Sequence, residues 1–204
     1  PGLGTGEYKG CVYTECPHPN HPSLESLIAR CHQLYDEDPA RAPTILFLQE
    51  GVHEVEEDYL RIMYPLKIVG AGRDKTTIHG GFRIQGTKKE GKNVGLKDMT
   101  VSGASGHGLY NHTGLSFLCK DMTFTQCGTH GVYAHNTKGR LINCVITQCG
   151  GNGIFCVMNA LIELEGDQTK VDGNGTNGGG YGLHTWNTSS IIHLLFPLTK
   201  QSVS

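Results

Sequence analysis

Several things are scarce in this chain. No stretch of its 204 residues approaches the ~18 consecutive apolar residues of a membrane span, so no membrane is expected as a partner. Charge is sparse, at 18% of residues, and nearly balanced, with 17 Lys and Arg against 19 Asp and Glu. A protein that neutralises a polyanion carries a basic excess, so no nucleic acid is expected either. The first residues, Pro1-Gly2-Leu3-Gly4-Thr5-Gly6, lack the charged-then-apolar pattern of a signal peptide. Proline is also sparse, at 8 residues. Glycine is the exception: 29 residues, about twice the usual ~7%. Glycine without a collagen period or a proline excess means many turns.

Eight cysteines are too thinly spread for a disulfide scaffold. Cys11, Cys16 and Cys31 lie near the front, and Cys119, Cys127, Cys144, Cys149 and Cys156 in the second half. They read as free thiols in a cytoplasmic setting, although Asn-x-Ser/Thr triplets at Asn111, Asn174 and Asn187 point the other way. Residues 1–22 read as an irregular entry segment. Within it, Cys11, Cys16, His18 and His21 carry a subordinate zinc reading. Their spacing matches no common zinc module, and Pro17, Pro19 and Pro22 stiffen the backbone between them, so no metal or cofactor is expected. Ser23 then opens a capping helix over 23–40. Its apolar stripe is Leu24, Leu27, Ile28, Cys31, Leu34 and Tyr35, and Asp36-Glu37-Asp38-Pro39 ends it.

From residue 41 to 204 the pattern is strand, turn, strand. Gly106-His107-Gly108-Leu109-Tyr110-Asn111-His112 returns 23 residues later as Thr129-His130-Gly131-Val132-Tyr133-Ala134-His135. It returns after 22 more as Gly151-Asn152-Gly153-Ile154-Phe155-Cys156-Val157. After a further 29 it is Gly180-Tyr181-Gly182-Leu183-His184-Thr185-Trp186, the extra length being the glycine-rich, flexible insert 173–179. Asp98-Met99-Thr100-Val101-Ser102, Asp121-Met122-Thr123-Phe124-Thr125 and Asn143-Cys144-Val145-Ile146-Thr147 obey the same shifts. Units this short cannot bury a core alone, but stacked coils of three short strands and three turns can. These Gly-[Leu/Val/Ile]-x-x repeats resemble the right-handed parallel β-helix, or pectin-lyase-like, superfamily. So do the first coils, Thr44 to His53 and Pro65 to Gly72. The resemblance implies an all-β fold, a right-handed parallel β-helix (solenoid) with an N-terminal amphipathic capping helix. It leaves function open, since the superfamily holds lyases, epimerases, hydrolases and non-catalytic scaffolds.

Strand alternation then assigns the faces. With Leu109, Val132, Ile154 and Leu183 inward, Asn111, Ala134, Cys156 and Thr185 are inward too. Tyr110, Tyr133, Phe155 and His184 form one outward row, with His112, His135, Val157 and Trp186 beside it. Arg83 and Gln85 extend these rows, and His107, His130, Asn152 and Tyr181 stand at the preceding turn. The other outward face, Thr100/Thr123/Val145 and Ser102/Thr125/Thr147, reads as plain solvated sheet, and Asp98, Asp121 and Asn143 as turn stabilisers.

The aromatic wall reads first as a non-catalytic binding or scaffold surface for a protein or polysaccharide partner, through Tyr110, His112, Tyr133, His135, Phe155, His184 and Trp186. It holds no carboxylate pair for glycoside hydrolysis and no acidic oxygen cluster for calcium. The alternative is uronate lyase or C5-epimerase chemistry, with Tyr133, His135 and His130 as acid and base and Arg83 neutralising the carboxylate. Superfamily lyases and epimerases use a similar Tyr/His group, but their motifs do not stand here in order. Finally, Ser189 to Phe196 is the last strong apolar stretch with no amphipathic helix after it, which predicts a homo-oligomer through the C-terminal coil.

Overall fold

The computed structural model describes residues 12–87 and 92–203. The chain winds into a right-handed parallel β-solenoid with three faces. The first face stacks β1 (Tyr13–Cys16), β2 (Ile45–Leu48), β4 (Lys67–Val69), the starts of β6 (Asn93–Gly103) and β8 (Ser116–Thr125), then β10 (Lys138–Ile142), β13 (Leu161–Glu165) and β16 (Ile191–Leu194). The second face takes the starts of β3 (Gly51–Ile62) and β5 (Thr76–Ile84), the ends of β6 and β8, then β11 (Val145–Thr147) and β14 (Lys170–Asp172). The third takes the ends of β3 and β5, then β7 (Leu109–His112), β9 (Val132–His135), β12 (Ile154–Val157) and β15 (Leu183–Thr185). Every pairing among these strands is parallel, so successive coils hydrogen-bond to one another.

The register reproduces the sequence shifts. Leu109 pairs with Val132, Val132 with Ile154 and Ile154 with Leu183. On the second face Thr100, Thr123 and Val145 align, as do Ser102, Thr125 and Thr147. The corner between the first and second faces needs a left-handed residue in each coil, and Asp98, Asp121 and Asn143 take it with φ of 57°, 52° and 52°. Short polar side chains tolerate this conformation better than other L-residues. The next corner repeats the device with Gln126 and Gln148, φ 52° and 56°.

Inward residues fill the solenoid. Phe82, Leu109, Phe124, Val132, Ile146 and Ile154 are wholly buried. Asn111, also wholly buried, closes the corner after β7 by donating from Nδ2 to Leu115 O (2.7 Å) and accepting from Gly114 N–H (3.0 Å). The described cysteines are buried free thiols. Cys127 and Cys149 stack in successive coils, and their mutual hydrogen bond together with burial pushes the Cys127 thiol up. Helix α1 (Leu24–Glu37) covers the N-terminal end with Leu24, Leu27, Ile28 and Cys31 buried. Its capping box pairs Ser23 with Ser26, a hydroxyl doing what Glu or Gln usually does. Tyr35 stacks on Tyr64 at 4.5 Å, and Tyr64 Oη donates to Pro43 O at 2.8 Å.

Several expectations need correction. The entry segment is not irregular throughout: Tyr13–Cys16 pairs with β2, turning Cys16 into the core. Leu183 and Thr185 hold inward register but are half-buried and exposed, because among the described residues no strand pairs above β15. The glycine-rich insert is tied down rather than loose. Asn174 Oδ1 accepts from Cys149 N–H at 3.1 Å, Asn177 N–H donates to Gly150 O at 3.0 Å, and Asn177 Nδ2 donates to Gly128 O at 3.1 Å. A short helix does follow the last strand, α2 (Lys200–Val203), and Leu198 and Val203 pack into the core. Ile191 and Phe196 remain exposed at this end, beside a cavity of about 340 Å³ lined by Leu183, Ile192, Leu194 and Lys200.

Candidate functional site

The third face carries a continuous wall of rings. In one outward column the register runs Arg61, Arg83, Tyr110, Tyr133, Phe155, His184. Ring centroids along it are 5.2 Å apart for Tyr110–Tyr133, 5.8 Å for Tyr133–Phe155 and 4.9 Å for Phe155–His184. These spacings follow from the ~4.8 Å rise between strands, which stacks like side chains over like. The second column holds His112 and His135, stacked face to face at 4.0 Å, and ends in Trp186, which is 70% exposed. Val157, expected in this column, is instead buried at 7%.

The corner histidines complete the wall from the side. His107 stacks on His130 at 5.1 Å, and on Tyr110 and Tyr133 at 5.2 and 4.9 Å. His130 lies 4.9 Å from Phe155, and Tyr181 lies 5.2 Å from His184. His107 Nδ1 is 2.6 Å from Thr129 Oγ1, and His130 Nδ1 accepts the Asn152 N–H at 2.9 Å. Burial, helped by His130, pulls the His107 pKa down to about 4. Burial and then His184 pull His130 down as well. Both rings are therefore neutral stacking elements at ordinary pH. Burial, then Tyr110, pushes the Tyr133 phenol up, away from the phenolate a proton-abstracting base would need.

The candidate acid–base group is only partly assembled. Tyr133, His135 and His130 share β9 and its leading corner. Arg83 stands two coils below Tyr133, roughly 9–10 Å along the sheet, with its guanidinium 5.1 Å over the Tyr110 ring. The subordinate zinc reading does not assemble among the described residues, where no three His, Cys, Asp or Glu side chains gather as a metal site. Cys16 is buried with Sγ 3.7 Å from His53 Nδ1, while His18 and His21 face each other; Cys11 lies outside the described residues. No described helix is long and apolar enough to cross a membrane.

The model of the right-handed β-helix region matches residues 70–195, more than half of the chain and all of the wall from Arg83 to Trp186. The chain belongs to the right-handed β-helix family. Among solved structures this β-helix is similar to the A-modules of two Azotobacter vinelandii mannuronan C-5 epimerases. AlgE4 matches with TM-score 0.53 and 16% identity over 76% of this chain and 55% of that one. AlgE6 matches with TM-score 0.53 and 16% identity over 76% of this chain and 53% of that one. The β-helix thus spans little more than half the length of these modules, and the likeness is one of fold. No curated protein matches it.

Two wall residues of this β-helix escape a reading of the repeats. Tyr59 lies across Gly81 and reaches the coil above, where its hydroxyl accepts the His107 N–H at 2.9 Å, its ring 5.8 Å from Tyr110. Arg61 stands next to Arg83 in the first column. Both follow the acidic run Glu54 to Asp58, where the register of β3 shifts against β5. The shift restores alternation at Tyr59-Leu60-Arg61-Ile62. The signal was present as an apolar-polar alternation after the charges, but it belongs to no copy of the repeat.

Proposed function

We propose that this β-helix is a non-catalytic binding module that presents its aromatic and imidazole wall to a carbohydrate or protein partner. One observation carries the reading: six coils place their rings and guanidinium groups in a single outward, mostly half-buried column that ends beside the exposed Trp186, and that column contains no carboxylate. Rigid rings offer contact area at little entropic cost, and exposed Trp and Tyr are the residue types that anchor interfaces. Two of the four acid–base candidates already hold partners, His130 the Asn152 amide and Arg83 the Tyr110 ring. Trp186 is the only tryptophan of the chain and stands on the wall. Titration of its emission against a panel of neutral and uronate polysaccharides, with cross-linking mass spectrometry for protein partners, tests the reading. Ligands that bind without touching the wall sink it.

A second reading, a uronate lyase or C5-epimerase, draws support from the mannuronan C-5 epimerase folds among its structural neighbours. It requires Tyr133, His135 and His130 to exchange protons beside Arg83. Incubation with a uronate polysaccharide, followed by NMR for epimerised or unsaturated residues, decides it. We also propose that the exposed apolar end around Ile191 and Phe196 pairs with a second copy; the tail residues Leu198 and Val203 leave this surface uncovered.

A further inference from the structure

We propose that His130 is an acid-sensitive latch: its neutral imidazole ties the corner before β12 to the coil below, and protonation undoes the tie and loosens the Phe155–His184–Trp186 end of the wall. The geometry turns on one bond. A backbone N–H can only donate, so the Asn152 amide, 2.9 Å from His130 Nδ1, must meet a nitrogen with a free lone pair. His130 therefore keeps its proton on Nε2. An imidazolium carries protons on both nitrogens, so a protonated His130 would point a donor at a donor.

The bond is the first link of a longer chain. Asn152, 7% exposed, accepts the Tyr181 N–H on Oδ1 at 2.8 Å, and Tyr181 O accepts the Gly153 N–H at 2.8 Å. His130, Asn152 and Tyr181 thus link three successive coils along one corner. Gly151 permits the approach, since a Cβ there would meet the His130 ring at 2.7 Å. His107 offers a contrast. Its Nδ1 faces the Thr129 hydroxyl, which can rotate from donor to acceptor, so protonation there breaks nothing by necessity.

The surroundings give a cation on His130 no counter-charge. His107 faces it from the coil below, Tyr133 from its own coil, Phe155 and Asn152 from the coil above, and His184 acts on it from the coil beyond. None is a carboxylate, and two are imidazoles. The nearest cation of the wall, Arg83, lies over Tyr110. Burial keeps His130 neutral at ordinary pH, so the latch is closed there and opens as the pH falls. Control of ligand release by this latch rests on the binding reading above; the latch itself does not.

The test uses the full chain and needs no ligand. Nitrogen-15 shifts of His130 should show a bare Nδ1 at neutral pH. Amide protection at Asn152 and Tyr181 should fall about tenfold or more over the acid range in which His130 protonates, relative to Leu109 and Val132, whose amides pair with neighbouring coils. Trp186 emission should shift over the same range. His130→Gln keeps an acceptor but cannot titrate, so its protection at these amides should stay flat. A proton on His130 Nδ1 at neutral pH, the same loss in H130Q, or unchanged protection while His130 titrates would each overturn the proposal. So would a His130 that stays neutral until the chain unfolds. If H130Q fails to fold, the nitrogen shifts of the wild-type protein decide alone.

Discussion

The second and third faces are built on the same coils, the same register and the same core, yet their outer surfaces differ completely. On the second face the outward column Thr100, Thr123, Val145 is small and half-buried. On the third, the equivalent column is Tyr110, Tyr133, Phe155, His184. Both stack like over like, and both satisfy the backbone ladder equally. Both columns are half-buried, so the faces differ in the size and ring character of their side chains rather than in how far they are covered. A solenoid constrains what points inward far more than what points outward.

The comparison breaks most severely if inward and outward are misassigned. Phe124 is wholly buried, and Phe124→Ala should cost about 3–5 kcal/mol in denaturant unfolding. A loss near that of a surface change would mean that the core lies elsewhere. Next in size is Gly139→Ala, because a Cβ at 139 would strike the Phe117 ring. Overpacking there should cost about 1–3 kcal/mol by the same measurement.

Acid should distinguish the faces too. His107 titrates at about 4 and His130 also below its ordinary value, so both bind protons more weakly folded than unfolded. The unfolded chain takes up protons first, and stability should fall as the pH drops through about 6.5 towards 4. Urea midpoints at a series of pH values measure this, and His107→Gln should flatten the slope. A slope unchanged in that variant would remove His107 from the account.

Smaller still is the outward double variant, Tyr133→Ala with His135→Ala. It should lose roughly 1 kcal/mol or less per cross-strand contact. A partner that uses the wall should lose about 2 kcal/mol or more of binding, read as at least a twentyfold weaker Kd by fluorescence titration. Thr123→Ala on the second face should change stability by only a few tenths of a kcal/mol and binding not at all. If Thr123→Ala weakens binding as much as the wall variant does, the two faces do not differ in role. Sedimentation adds one check on the end of the solenoid. Ile191→Lys with Phe196→Lys should shift any dimer to monomer without unfolding it.

Much of this was legible because the period does the work. A return of Gly-His-Gly-Leu-Tyr after 23 and 22 residues dictates which side chains stack, and alternation dictates which point in. That reasoning placed Tyr110, Tyr133, Phe155 and His184 in one column, as the register has them. It stumbled at one repeat position and where a position has no copy. Val157 sits where its neighbours suggested exposure but is buried. Tyr13–Cys16 forms a strand with no repeat to announce it, and Tyr59 enters the wall only through a shifted register.

The sequence by itself determined the coil, its length, its inward core and the identity of the outward rings, because these follow from a repeat and a two-residue alternation. Only the tertiary structure decided what happens at the corners and the ends. There the partners are backbone groups of another coil: the Asn152 amide for His130, the His107 amide for Tyr59, and the Gly128 carbonyl for Asn177. Such bonds depend on how far one corner overhangs the next. That overhang is set by the twist and stagger of the stacked coils, quantities that no period along the chain encodes.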